Sequence, residues 1–460
     1  MLKFELGLAR EIITPERGLP LAGYFNGRPN TGVADELFVR VSLFRFGKLF
    51  SGIVTFDLLF LPAELIVSIQ KELRNAGFDF AEDLIFHATH THTAPYTETS
   101  FGTAADPEYL DTVVTKAFLA ISMAYADLAP AELLVASGRN SELAFNRRYF
   151  MKDGTVKTNP GKSNPDVVKP EGPIDDEITV LAAKRDGRLV SIYANIVNHT
   201  DTIGGNLVSG DWPGRMEQAI RYELGYDVNV QTLIGCAGDI NHVDIHSAVE
   251  QSSYAEALRI GRAYAQTVLK LLDLAEPVDL SENGLFATTE VLSVTGRVLS
   301  SEEIRKAQDI LERTRDLSTA TAMTADDLAA GDGPTAKFFA EQALSFAQCE
   351  AGKKREFHLI ALRIGKEIGI VTLPGEPFVE VGLGIKAQSP YQYTIVIGLA
   401  QGAAGYIPMK ECFSRGGYEI QPVCNGGAQE STAAEMISIG SRMLNEITPE
   451  KIKEYLKCVH

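Results

Sequence analysis

Apolar and polar positions along the 460-residue chain alternate between short runs of period two and longer stretches of helical period. Residues 38–60 carry β-branched and aromatic runs on either side of Gly47-Lys48, a pattern that predicts a hairpin. Apolar residues at 65, 66, 69 and 73 then recur at helical spacing and predict a helix over Pro62–Ala76. Leu84-Ile85-Phe86 begins another strand, and Tyr109–Tyr125 reads as a second amphipathic helix. Strands are predicted again at Ile178–Ala183, Val190–Val197, Val228–Ile234, Phe357–Ile364 and Ile368–Leu373, with helices at Pro213–Leu224 and Ala255–Leu272. Residues 150–175, rich in Pro, Gly, Lys and Asp, read as a long surface loop of the sort that lids a site. Residues 301–350 are helical apart from Gly331-Asp332-Gly333-Pro334 and predict a helical hairpin. Alternating strands and helices indicate an α/β protein. The simplest organisation is a single catalytic domain over 1–460, with a mixed β-sheet core, flanking helices, the helical insertion and no internal repeat.

Composition narrows the partners. There are 60 acidic and 43 basic residues, for a net charge of −17. That balance argues against nucleic acid and anionic membrane, which both attract basic surfaces. The most apolar region, Leu49–Ile69, is broken by Asp57, Pro62 and Glu64 and does not read as a membrane span. The N-terminus lacks the apolar core of a secretion signal. Five cysteines without CxxC spacing predict neither a disulfide framework nor a zinc ribbon, and fit a reducing, cytoplasmic setting. A small-molecule substrate is expected, with no stable membrane association; oligomeric state is left open.

Candidate chemistry gathers around histidine. His87, His90 and His92 fall within six positions. If the strand begun at Leu84 continues, His90 and His92 share one face and His87 takes the other, as a core or supporting residue. The pair reads either as a solvated strand end or as a metal and proton-transfer site. His199 and Glu376 each follow an apolar strand, where ligands of open α/β sheets collect. Two imidazoles and a carboxylate are a set that catalytic zinc uses while keeping a position open for water. His242 and His246, four apart, are expected to share a helical face as a pocket wall rather than a second metal site. Asp211 and Pro213 suit the start of a helix, Trp212 reads as its neighbour or as a stacking wall near His199, and Cys236 reads as a small buried residue. Asp57, at a strand end, is a candidate support for the site.

Several motifs occur together in order: Ile13-Thr14-Pro15, Ala22-Gly23-Tyr24, Ala88-Thr89-His90-Thr91-His92, Asn146-Arg147, Val197-Asn198-His199, Gly238-Asp239-Ile240-Asn241, Leu373-Pro374-Gly375-Glu376 and Gly405-Tyr406. The ordered set resembles the neutral (alkaline, non-lysosomal) ceramidase superfamily. Carried over by position, the resemblance implies Zn2+ held by His90, His199, Glu376 and Tyr406. It also implies site roles for His92, Arg147 and Tyr418, the last standing twelve positions after Tyr406. Asp239 is expected either to orient a ligand histidine or to serve as a turn residue. The family's Gly-Asp-Val-Ser-Pro-Asn becomes Gly238-Asp239-Ile240-Asn241-His242, so Asn241 stands where the family has its site serine. An amide has no hydroxyl to activate, so Asn241 is expected to orient substrate, and zinc-activated water to be the nucleophile. His92 is then the general base and acid, and Arg147 and Tyr418 the oxyanion donors.

The long ceramidases of this family add an immunoglobulin-like C-terminal domain and a secretion signal, and this chain is expected to have neither. With no basic amphipathic helix for membrane docking, the expected substrate is a small soluble N-acyl amide or ester rather than ceramide. The alternatives are a zinc-dependent carbohydrate-active enzyme (deacetylase, lactonase, glycosidase or lyase) and a non-catalytic ligand-binding homologue.

Overall fold

The computed structural model describes residues 3–280, 284–320, 323, 325–423 and 426–450. In the first sheet, β1 (Phe4–Ile12) pairs antiparallel with β2 (Phe38–Phe46), which turns at Gly47 (φ +65°) into β3 (Leu49–Phe56). The chain then crosses through α1 (Ala63–Asn75) to β4 (Leu84–Ala88), which lies parallel to β3, and continues into α2 (Pro107–Ala126). The second sheet starts at β5 (Glu132–Arg139). After a small three-stranded sheet, β6 (Arg148–Met151), β7 (Val156–Thr158) and β8 (Val167–Pro170), it resumes with β9 (Glu177–Arg185) and β10 (Arg188–Ile196). The chain crosses through α3 (Asp211–Leu224) to β11 (Asn229–Ile234), parallel to β10, and on to α4 (Tyr254–Leu272). The third sheet comprises β12 (Leu285–Thr295), β13 (Lys354–Ile364), β14 (Ile368–Thr372) and β15 (Tyr393–Ile397). Between β12 and β13 stand α5 (Ser301–Arg313), α6 (Ala325–Ala330) and α7 (Gly333–Cys349), while α8 (Val379–Gln388) joins β14 to its parallel neighbour β15 and α9 (Thr432–Glu446) follows.

One connection thus recurs in all three sheets: an antiparallel hairpin, a helix, then a strand parallel to the hairpin's second strand. The chain showed no sequence repeat, because the recurrence lies in topology and not in residue identities. The inner faces of the three sheets share one apolar core, in which Phe44 and Ile85 of the first meet Leu181 and Leu233 of the second and Leu362 and Ile395 of the third. Each outer face is covered by helices: α1 and α2, α3 and α4, α8 and α9. A fully buried Leu, Ile or Phe contributes about 1.5–3 kcal/mol, so the shared core fixes how the three sheets face one another.

Two expectations are corrected. Residues 150–175 are not an irregular loop, since β6 pairs with both β7 and β8. Proline and glycine mark its turns, while Tyr149, Met151 and Val156 supply enough buried apolar surface to hold strands. The strand begun at Leu84 ends at Ala88 and does not run through His92, because His90 takes a left-handed backbone (φ +66°) and its N–H donates to Leu58 O at 2.9 Å. The helical insertion stands at the tip of the β12–β13 hairpin, whose register closes at Thr295 and Lys354. Among the described residues no helix is long and apolar enough to cross a membrane.

Candidate metal centre and substrate cavity

The parallel strand pairs place their carboxyl ends together, and the candidate residues lie just beyond those ends. His90 follows β4, His199 follows β10 and Glu376 follows β14. Beyond β15 the chain reaches Tyr406, whose backbone pairs parallel with Glu376. The ends are clamped by His87, which is fully buried on β4. Its Nδ1 donates to Gly398 O of the third sheet at 3.1 Å, and its Nε2 accepts the N–H of Ile234 of the second at 3.2 Å. Burial pushes the His87 pKa down to about 4, keeping the ring neutral in this clamp.

Three imidazoles converge. His90 Nε2 lies 3.2 Å from His199 Nε2 and 3.4 Å from His92 Nε2, and Glu376 Oε2 lies 3.3 Å from His90 Nε2. His90 Nδ1–H donates to Leu59 O at 2.9 Å and His199 Nδ1–H to Ala237 O at 3.4 Å, so both Nε2 lone pairs turn inward. Bare lone pairs so close repel one another unless a cation lies between them. Ligands about 2.05 Å from a tetrahedral zinc stand about 3.3 Å apart, which matches these separations. Glu376 Oε2 is buried and accepts no hydrogen bond, as a carboxylate oxygen directed at a cation would. Burial drives the His92 and His199 pKa values well below the ordinary range, which keeps the rings neutral and able to coordinate. Burial opposes ionisation of Glu376 too, but the adjacent His90 ring and the Arg147 guanidinium outweigh it and hold the carboxyl below its usual range. The residues present therefore fit a metal ion.

Positions around the cluster are fixed from behind. Trp212 Nε1 donates to His199 O at 2.8 Å. Asp211 accepts the N–H groups of Thr202 at 2.9 Å and Ile203 at 3.1 Å. Arg28 donates to His92 O, and Tyr24 OH donates to Asp201 Oδ1 at 2.6 Å, with His92 Nδ1 3.5 Å from the same oxygen. On the far side, Arg147 donates from Nε to Glu419 Oε1 at 3.0 Å and from Nη2 to Gly238 O at 2.7 Å. Its guanidinium lies 5.3 Å from the Tyr406 ring centre and 5.2 Å from that of Tyr418, whose hydroxyls are 3.3 Å apart. Burial raises both phenols, so they remain donors at neutral pH.

The cluster opens into a cavity of about 790 Å³. One wall is apolar and carries Phe25, Leu59, Phe60, Phe101 and Phe339. Phe25 anchors that wall, with ring centres at 5.1 Å from Phe101, 5.2 Å from Phe338 and 5.6 Å from Phe339. The polar lining includes Asn159, Lys162, Asp201, Asn241, His242 and Glu250.

By sequence, no protein-family profile and no curated protein matches the chain. By structure, the neutral ceramidase from Pseudomonas aeruginosa superposes with a TM-score of 0.72 at 17% identity, covering 98% of this chain and 75% of that one. A ceramidase complexed with C2 gives the same score and identity, covering 97% and 75%. The chain has the neutral-ceramidase fold. At this identity the likeness concerns the fold, and the residues of the site stand on the geometry above.

Within this neutral-ceramidase fold, His90, His92, His199, Glu376, Arg147, Tyr406, Tyr418 and Asn241 all line the one cavity. Asn241 donates from Nδ2 to Asn159 Oδ1 at 3.0 Å and accepts the N–H of Val243 at 3.0 Å. Other expectations are corrected. Asp239 touches no histidine: its Oδ1 accepts the Val379 N–H at 2.8 Å and its Oδ2 the Asn146 amide at 2.7 Å, tying the Gly238 turn to the start of α8. His242 and His246 lie on a loop and share no helical face; His242 lines the cavity, as a wall residue should, and His246 is exposed. Asp211 does not cap α3, whose N-cap is Gly210, because its carboxylate is turned onto the loop after His199. Trp212 is wholly buried and forms no cavity wall. Asp57 supports the strand end through Arg40 Nη1 at 2.7 Å and Thr89 Oγ1 at 3.3 Å, and Cys236 is buried, with its thiol pKa raised by burial. Sequence reasoning missed Asp201, two positions after His199, and Glu419, adjacent to Tyr418. Both are isolated acids whose roles follow only from tertiary placement.

Proposed function

We propose that the protein is a zinc-dependent hydrolase of amide (N-acyl) or ester bonds, a single catalytic domain acting on a small substrate. The observation that carries this reading is the convergence of His90, His92, His199 and Glu376 at the bottom of a cavity that also presents Arg147, Tyr406 and Tyr418. His90, His199 and Glu376, with Tyr406, would hold the metal, which supplies a Lewis acid that activates water and polarises the scissile carbonyl. His92 takes the proton from the attacking water through Nε2 and returns it to the leaving group. Asp201, 3.5 Å from His92 Nδ1, orients the ring. Tyr418 and Arg147 donate to the oxyanion, each such donor contributing about 3–4 kcal/mol in favourable cases. Nη1 of Arg147 is the donor available, since Nε and Nη2 are engaged with Glu419 and Gly238. Asn241 fixes the substrate amide by hydrogen bonding.

The apolar wall around Phe25 suits an acyl group, and its presence favours N-acyl substrates over the purely polar ones of a carbohydrate-active enzyme. The polar lining keeps that second reading in view for an acylated amino sugar, which a deacetylase would open by the same chemistry. The described cysteines, Cys236, Cys349 and Cys412, are free; Cys424 and Cys458 lie outside the described residues.

A screen of N-acyl amines, N-acyl amino sugars and esters, with acid release as the signal, tests the activity. In His92→Ala, turnover is expected to fall by about 10²–10⁴-fold with metal content unchanged. Loss of the metal in that variant would make His92 a ligand instead of the base.

A further inference from the structure

On the far side of the metal cluster two pairs of adjacent residues interlock. Arg147 and Arg148, at the entry to β6, meet Tyr418 and Glu419, and the side chains of both arginines and of Glu419 are buried. Glu419 is divided between the two cations. Its Oε1 accepts from Arg147 Nε at 3.0 Å, while its Oε2 accepts from Arg148 Nη1 at 2.6 Å and from Thr158 Oγ1 at 2.7 Å. Arg148 is otherwise occupied by the protein: Nε donates to Glu171 Oε2 at 2.5 Å and Nη2 to Gly416 O at 2.8 Å. A Cβ at Gly417, where φ is +94°, would overlap Arg148 Nη1, so only glycine lets the loop before Tyr418 come this close. Burial opposes ionisation of Glu419, but Arg148 and Arg147 outweigh it and hold its carboxyl below the usual range.

A guanidinium is a rigid planar fork, so fixing two of its nitrogens fixes the direction of the third. In Arg147, Nε is held by Glu419 and Nη2 by Gly238 O at 2.7 Å, between the rings of Tyr406 and Tyr418. Nη1 makes no hydrogen bond to a described residue, and Arg147 lines the cavity. We infer that Glu419 is a positioning residue: anchored by Arg148 and Thr158, it turns Arg147 so that Nη1 is presented to an anionic oxygen in the cavity. The division of its charge matters as well as its direction. A carboxylate facing Arg147 alone would pair with two edges of the fork and cancel its charge. Shared with Arg148, it leaves Arg147 able to attract an anion. Without Glu419, Arg147 keeps only Gly238 O and is drawn toward Glu376, whose ionisation its charge already favours, and Nη1 leaves its place. The inference goes beyond the hydrolase reading and rests on it only for taking the anion as the oxyanion of a reaction; the orientation of Arg147 does not depend on turnover.

Hexane-1-sulfonate and hexyl methyl sulfone share a chain and a sulfonyl group, resist hydrolysis and differ in charge. Each is titrated calorimetrically against the full-length protein as purified, and the ratio of the two affinities cancels any loss of packing common to both. The wild type is expected to prefer the sulfonate by at least about tenfold, the scale of a charge-assisted hydrogen bond. Charge and position make opposite predictions for Glu419→Gln. Removing a negative charge beside Arg147 raises the sulfonate preference if charge alone matters. An amide, however, accepts from one guanidinium and turns a donor toward the other, so loss of the anchor is expected to lower the preference by at least about fivefold. Glu419→Asp keeps the charge on a shorter arm; it should lower the preference too, whereas a pure charge effect leaves it unchanged, and it decides the matter if Glu419→Gln does not fold. No sulfonate preference in the wild type, a preference raised or unchanged in Glu419→Gln, or one unchanged in Glu419→Asp overturns the inference. If both variants lower the preference but no N-acyl amide or ester is hydrolysed by the wild type, the positioning role stands and the hydrolase reading fails.

Discussion

A Cβ at Gly23 would lie 2.5 Å from the His92 ring, on a backbone held at φ +103°. Only glycine allows the chain to press this closely on the ring, so the Ala22-Gly23-Tyr24 segment shapes the site through contact and not through chemistry of its own. Gly23→Ala should push His92 off the cluster and lower turnover at least about tenfold, because small displacements of a reacting group carry large rate costs. Steady-state kinetics beside a circular-dichroism spectrum checks this; unchanged turnover in a folded variant would contradict it. His87 gives a pH prediction. Its folded pKa of about 4 lies below the ordinary 6.5, so between these values the unfolded chain binds more protons than the folded one. The His87 contribution is therefore complete above pH 6.5 and is lost as pH falls toward 4, by about 1.4 kcal/mol per pH unit. Urea unfolding at several pH values should show that slope in the wild type and a flatter one in His87→Gln. At this scale the sequence was informative where a residue type implies chemistry by itself, as with His90, His199 and Glu376. It was silent on Asp201 and Glu419, whose importance comes from what tertiary packing brings to them.

Among the elements, long periodic segments were legible and short or irregular ones were not. The helices α1 to α4 and the hairpin of β2 and β3 followed from apolar spacing alone. The β6–β8 sheet did not, because its strands of three or four residues are too short to display a period against a Pro- and Gly-rich background. Nor did the end of β4, where the fold overrides strand periodicity: His90 reaches the cluster through a left-handed turn instead of by alternation. The insertion at the tip of the β12–β13 hairpin contributes Phe338 and Phe339 to the aromatic group around Phe25. Those pairs contribute about 0.5–1.5 kcal/mol each beyond area burial. Phe25→Ala should loosen this wall and raise KM for a hexanoyl amide several-fold while leaving kcat within about twofold. A fall in kcat at constant KM would place Phe25 in the reaction rather than in acyl binding.

For the whole molecule, three sheets with one repeated connection gather the carboxyl ends of three parallel strand pairs, and the ligand candidates come one or two from each. That arrangement explains the long spacing between His90, His199 and Glu376, which no local motif could have announced. It also makes the centre depend on the mutual placement of all three sheets, so metal binding and folding should be coupled. The central claim is that these side chains hold one metal ion, and the most direct test is elemental analysis of the purified full-length protein by inductively coupled plasma mass spectrometry. One zinc per chain is predicted for the wild type, falling to background in a folded His90→Ala/Glu376→Ala double variant. Wild-type protein without stoichiometric metal after growth in zinc, or a double variant that retains it, would contradict the account.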